Sequence, residues 1–135
     1  MQNLVCLISG NGTNLQCIID NIEKKNINYK ILAVYSNRKN AYGLIRAKNH
    51  NICSHYFPYK KKEQSRIEYD ISLAKHIKDN YKVDIIVCVG WMHILSPEFI
   101  ENFNNIINLH PALPNTFPGS NAIGDAFNAY KKGLI

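Results

Sequence analysis

The chain reads as an α/β domain built on a doubly wound, mostly parallel sheet. Two observations predict it. Apolar runs of strand length alternate with segments of helical period along the chain, and no repeat, linker or low-complexity stretch interrupts the alternation. Strands covered on both faces by crossover helices are near-continuous apolar runs, and residues 83–89, Val-Asp-Ile-Ile-Val-Cys-Val, are apolar except at Asp84. With 135 residues, 46% of them apolar, a single domain over 1–135 can bury a real core.

The elements come in order along the chain. A first strand is predicted over 4–8, then a helix over 14–23 whose stripe is Leu15, Ile18, Ile19 and Ile22. A second strand spans 31–35 and a short helix 41–49. The third strand, 52–57, is placed at or near a sheet edge, because Pro58 and a run of lysines come directly after it. A long helix over 64–80 is given the stripe Ile67, Ile71, Ala74 and Ile77. After the central strand 83–89 comes a loop, 90–95. A helix then starts with Ser96 at its N-cap and Pro97 at its first position. A fifth strand is predicted over 106–109 and a last helix over 121–132.

Bulk properties exclude several classes. There is no basic, apolar leader and no run long enough to span a membrane, so a cytoplasmic protein is expected. The four cysteines show no metal-ligand or redox spacing, and Cys6 and Cys88 sit inside strand-like runs, as buried thiols do. The net charge of +6 has its densest patch at Lys60-Lys61-Lys62, which reads as a solvated loop face rather than a nucleic-acid site.

In such a sheet, ligands bind at the carboxyl ends of the strands. Three segments fall there. Ser9-Gly10-Asn11-Gly12-Thr13-Asn14 has two glycines that let the backbone turn sharply into a helix N-terminus, where N–H groups and the helix dipole suit a phosphate. It is neither a G-x-G-x-x-G nor a P-loop, and the same pattern serves an ordinary tight turn. Trp91-Met92-His93-Ile94-Leu95 offers apolar side chains after the central strand, either for core packing or for a flat heterocycle whose edge the main chain could read. His93 reads as a bystander rather than a base. Finally, Asn108 and His110 stand two apart, on one face of an extended segment, and Pro111 and Pro114 stiffen the loop beyond them. An amide can steady an oxyanion while an imidazole moves protons, which is what acyl transfer requires; a capped turn with a satisfied histidine is the alternative.

Taken together, Leu-Ile-Ser-Gly-Asn-Gly-Thr-Asn-Leu-Gln at 7–16, Ser36-Asn37, Ala41-Tyr42-Gly43-Leu44, Ser65-Arg66, Gly90-Trp91-Met92-His93-Ile94-Leu95-Ser96 and Asn108-Leu109-His110-Pro111-Ala112-Leu113-Pro114 resemble the phosphoribosylglycinamide formyltransferase family, in its fungal-like form. The resemblance implies a Rossmann-like formyltransferase fold. It also implies transfer of formyl from 10-formyltetrahydrofolate, as cosubstrate, to the amine of glycinamide ribonucleotide in purine synthesis. Gly12, Thr13 and Asn14 would hold the ribonucleotide phosphate. Arg66 would face the folate, and Met92, His93, Ile94 and Leu95 would cradle its pterin. Asn108 would donate to the formyl oxygen and His110 would transfer the proton and stabilise the tetrahedral oxyanion. No metal, nucleic acid or membrane is implied, and the oligomeric state is left open.

The family pattern continues into a Gly-x-x-x-His-x-Val segment and an aspartate that orients the histidine, which the 135 residues do not reach; Asp125 stands outside that motif. The expectation is therefore a chain incomplete at its C-terminus, with reduced turnover and with apolar sheet surface near Ile106, Ile107 and Leu109 uncovered. Two other readings remain: formylation of a different amine by the same fold, and a non-catalytic module that keeps the ligand loops.

Overall fold

A computed structural model describes residues 1–109; His110 and the predicted helix over 121–132 lie outside the described residues. The elements are β1 (Gln2–Ile8), α1 (Thr13–Glu23), β2 (Tyr29–Ser36), α2 (Tyr42–Asn49), β3 (Cys53–Tyr56), α3 (Arg66–Asn80), β4 (Ile85–Val89), α4 (Pro97–Ile100) and β5 (Ile106–Leu109). The sheet order is β3-β2-β1-β4-β5, and every described pairing is parallel. This is the doubly wound arrangement the alternation predicts, with β3 at an edge as Pro58 and the lysines indicate. The chain reverses its direction of travel across the sheet between β1 and β4, the topological switch point where such folds bind ligands.

Two apolar layers sandwich the sheet, and strand alternation assigns residues to them. Leu4, Cys6 and Ile8 of β1 face one way, with Val34, Val87 and Ile107, under Leu15, Ile18 and Ile19 of α1 and Leu44 and Ala47 of α2. Val5 and Leu7 face the other way, with Ala33, Tyr35, Ile86 and Cys88, under Tyr69, Leu73, Ala74 and Ile77 of α3 and Phe99 of α4. The register between β1 and β2 shifts by one residue after Leu4, which accommodates Leu32 as a bulge. Of the stripe predicted for α1, Leu15, Ile18 and Ile19 are buried, while Ile22 is partly buried against the same layer.

The stripe predicted for α3 needs correction. Ala74 and Ile77 are buried, but Ile67 and Ile71 are 49% and 48% exposed. The buried face instead runs through Tyr69, Asp70 and Leu73. Tyr69 donates its hydroxyl to the carbonyl of Phe57 at 2.6 Å, and Asp70 accepts the Ser96 N–H at 2.8 Å. These hydrogen bonds, together with a large ring, rotate the first turns of the helix away from the all-aliphatic choice. A second correction concerns β5: Ile107 is 2% exposed rather than uncovered.

Candidate functional site

Three segments emerge at the carboxyl edge, from the adjacent strands β1, β4 and β5. After β1 the chain turns at Gly12, whose φ of 79° lies in the left-handed region that glycine adopts freely. Gly12 is the N-cap of α1, and its carbonyl accepts the Gln16 N–H at 2.8 Å. No side chain caps this end, so the first-turn N–H groups and the positive end of the dipole are available to an anion. Thr13 is exposed, with Gly12 and Asn14 half-buried beside it.

The loop is held from α2. A Cβ placed on Gly12 would lie 2.7 Å from the Cα of Gly43; the two backbones touch there. Gly43 donates its N–H to the Gly10 carbonyl at 3.2 Å. Arg46 donates through Nε to the Asn11 carbonyl at 2.8 Å and through Nη2 to Asn11 Oδ1 at 2.9 Å.

The segment after β4 turns at Gly90, also at positive φ, 78°. Trp91 folds inward with 9% exposure, while Met92 and Ile94 project with 68% and 84% exposed. Met92 and Ile94, open on either side of a half-buried His93, make an apolar rim at the switch point, while Trp91 and Leu95 pack into the layer under α3. Arg66, at the start of α3, donates Nη2 to the Ile94 carbonyl at 2.9 Å, so the structure brings Arg66 onto the Met92–Leu95 segment. A capping box sets that helix start: Ser65 Oγ accepts the Glu68 N–H at 3.1 Å and Glu68 Oε1 accepts the Ser65 N–H at 2.9 Å. Those hydrogen bonds hold the Glu68 carboxyl below its ordinary range.

His93 lies among the rings of Tyr59, Tyr69 and Trp91 at centroid distances of 5.7, 5.7 and 5.4 Å. Burial lowers its pKa, and Arg66 adds to the effect while Asp70 opposes it. The neutral ring is therefore favoured, in keeping with a packing role. Around it, Asp70 Oδ1, Trp91 Nε1 and His93 Nε2 are buried without hydrogen-bond partners.

One hydroxyl ties the edge together. Ser9, 2% exposed, donates Oγ to Asn37 Oδ1 at 2.7 Å and accepts the Met92 N–H at 3.0 Å. It thus links the ends of β1, β2 and β4. On the far side of β4, Asn108 is exposed and registers against Cys88. Strand alternation puts it on the same face as Ile106, the face toward Trp91 and Leu95. Burial pushes the thiols of Cys6 and Cys88 up to about 12, so neither of these two central-strand cysteines is poised as a nucleophile. Among the described residues, no three His, Cys, Asp or Glu side chains converge as a metal site, and no helix is long and apolar enough to cross a membrane.

Sequence reasoning passes over Arg46 and Asp70, and places Ser9 in a candidate loop without its role as a joint. Their partners are distant in sequence, and no local pattern announces them. The Ser65–Glu68 box is different, because S-x-x-E is a legible helix-start signal.

A parallel sheet with a phosphate-suited loop and an apolar rim at its switch point, and an amide on the next strand, has counterparts among known proteins. The family model described as formyl transferase matches residues 2–133, and the chain belongs to that family. Within it, the chain groups with the phosphoribosylglycinamide formyltransferases. It is 46% identical to the phosphoribosylglycinamide formyltransferase of Dictyostelium discoideum, over 98% of this chain and 70% of the relative. The Schizosaccharomyces pombe enzyme of the same name gives the same identity and coverage. The crystal structure of glycinamide ribonucleotide transformylase 1 from Symbiobacterium toebii superposes with a TM-score of 0.77 at 34% identity, over 95% of this chain and 60% of that one. The chain thus spans about 70% of these curated relatives and 60% of that solved chain.

Proposed function

We propose that this chain transfers a formyl group from 10-formyltetrahydrofolate to the amine of glycinamide ribonucleotide, a cytoplasmic reaction between small molecules that uses no metal. The observation that carries the reading is the adjacency of β1, β4 and β5: a loop suited to phosphate, an apolar rim and Asn108 share one sheet edge. In this reading Gly12, Thr13 and Asn14 receive the ribonucleotide phosphate on the N–H groups of α1. Met92, His93, Ile94 and Leu95 receive the pterin, with Arg66 facing the rest of the folate.

The amine nitrogen attacks the formyl carbon, and the carbonyl electrons move onto oxygen. The Asn108 side-chain amide donates to that oxyanion, where a preorganised donor counts most. As the tetrahedral intermediate collapses, the bond from the formyl carbon to the folate N10 breaks. The proton lost by the amine reaches N10 through His110, two residues on in the sequence.

Replacement of Asn108 by Ala tests the assignment in steady-state formyl transfer, read as tetrahydrofolate release. Removing one oxyanion donor costs about 2.7 to 4 kcal/mol in the barrier, roughly 10²- to 10³-fold in kcat. The affinities for both substrates should change far less. A variant with unaltered kcat and only a raised KM would remove Asn108 from the reacting atoms.

A further inference from the structure

We propose that Arg46 is a positioning residue for the ribonucleotide phosphate: it fixes the shape of the Gly10–Asn14 loop through Asn11 and does not itself touch the substrate. The inference rests on the functional reading above and names a residue of that site which neither the resemblance nor the loop's sequence points to.

The geometry is that of a clamp. Arg46 Nε and Nη2 grip the backbone carbonyl and the side-chain oxygen of the same residue, Asn11, at 2.8 and 2.9 Å. Nη1 reaches Gln16 Oε1 at 3.3 Å, one turn into α1. The guanidinium also lies over the Tyr42 ring, 4.8 Å from its centroid. One donor on each guanidinium nitrogen, and one face, is therefore committed. A planar fork held this way transmits the position of α2 to the loop, whereas a free cation would only attract an anion.

The same helix holds the other end of the loop. Gly43 binds the Gly10 carbonyl and abuts Gly12 so closely that a Cβ on Gly12 would come within 2.7 Å of it. Gly10, Asn11 and Gly12 are thus each fastened to α2, and the first turn of α1 is aimed as a result. Phosphate recognition by N–H groups depends on their direction, since a hydrogen bond weakens steeply as its angle closes.

Positioning and direct attraction make opposite predictions for a lysine. Arg46→Lys keeps the charge but cannot grip Asn11 twice, and Arg46→Gln loses the charge as well. Calorimetry on the full chain with glycinamide ribonucleotide, and separately with 10-formyltetrahydrofolate, reads the difference. Both variants should lose roughly tenfold or more in ribonucleotide affinity, and should hold folate affinity within about twofold. Asn11→Ala, a substitution on an exposed loop, should lose less than Arg46→Gln. The double variant should lose no more than Arg46→Gln alone, since two residues in one clamp are not additive.

Wild-type ribonucleotide affinity in Arg46→Lys would overturn the proposal in favour of charge alone. Equal losses for both ligands would overturn it in favour of general destabilisation, and additive losses in the double variant would uncouple Arg46 from Asn11. Failure of the functional reading looks different: the unaltered chain would bind neither ligand.

Discussion

Gly12→Ala probes two features at once. At φ 79° an L-residue with a Cβ meets its own backbone, a cost of about 1 to 2 kcal/mol. Its Cβ would also lie 2.7 Å from the Cα of Gly43 and 3.4 Å from Cδ of Arg46. The first of these neighbours is backbone, and Gly43 is held to the loop by its N–H bond to the Gly10 carbonyl at 3.2 Å, so no side-chain rotation relieves the clash. Overpacking against a fixed backbone adds roughly 1 to 3 kcal/mol, so the sum is about 2 to 5 kcal/mol. With a urea dependence of about 2 kcal/mol per molar, the unfolding midpoint should fall by roughly 1 to 2.5 M.

Gly10→Ala is the control two residues away. Nothing lies within 4 Å of its Cβ position and its φ is not in the left-handed region, so its effect should stay within about 0.5 kcal/mol. Urea unfolding monitored by far-ultraviolet circular dichroism compares the pair directly. In the population of Gly12→Ala that remains folded, ribonucleotide binding should weaken while folate binding is much less affected. If both alanines shift the midpoint equally, or Gly12→Ala moves it less than Gly10→Ala, the argument from loop geometry is wrong.

Two further perturbations address other parts of the edge and core. Ser9→Ala strips partners from the Met92 N–H and from Asn37 Oδ1, so it should cost about 1 to 3 kcal/mol in stability and weaken folate binding; an unchanged urea midpoint would count against the hydroxyl as a joint. For His55, burial first and the neighbouring His76 second hold the pKa below its ordinary 6.5, in a cluster where His55 Nε2 meets the Tyr81 hydroxyl at 2.5 Å and its ring stacks on Tyr35. The unfolded chain then takes up this proton before the folded one does. The contribution is whole above pH 6.5 and is lost as pH falls from there through the folded-state value. The urea midpoint should therefore fall less in His55→Gln than in the unaltered chain between about pH 7.5 and about pH 5.5, and an identical fall in both would assign the pH dependence elsewhere.

The strands are legible because β1, β2 and β4 are nearly unbroken apolar runs, and β3 is recognisable as an edge from Pro58 and the lysines. The face of α3 is not, since periodicity ranks isoleucine above tyrosine and aspartate, yet the hydrogen bonds of Tyr69 and Asp70 decide the rotation. The same limit applies at the site. Gly12 and the Met92–Leu95 rim are visible as local patterns, whereas Ser9 acts across 83 residues and Arg46 across 35. Contacts of that span depend on the order of the strands, which a pattern of runs does not specify.

Two arginines with similar local settings differ in the way their proposed roles require. Each stands on a helix on a different face of the sheet and donates to a loop carbonyl at the carboxyl edge: Arg46 of α2 to Asn11, Arg66 of α3 to Ile94. Arg46 makes three hydrogen bonds and covers a ring, so moving it means breaking all of them together. Arg66 is exposed and, among the described residues, donates only to Ile94, which leaves most of its planar fork uncommitted there. A guanidinium of the second kind can exchange water for a ligand carboxylate at little cost, because its remaining donors need no protein partner to be given up. On the proposed reading, the number of committed donors separates Arg46, which shapes a loop, from Arg66, which is left able to face the folate, at the same carboxyl edge of the sheet.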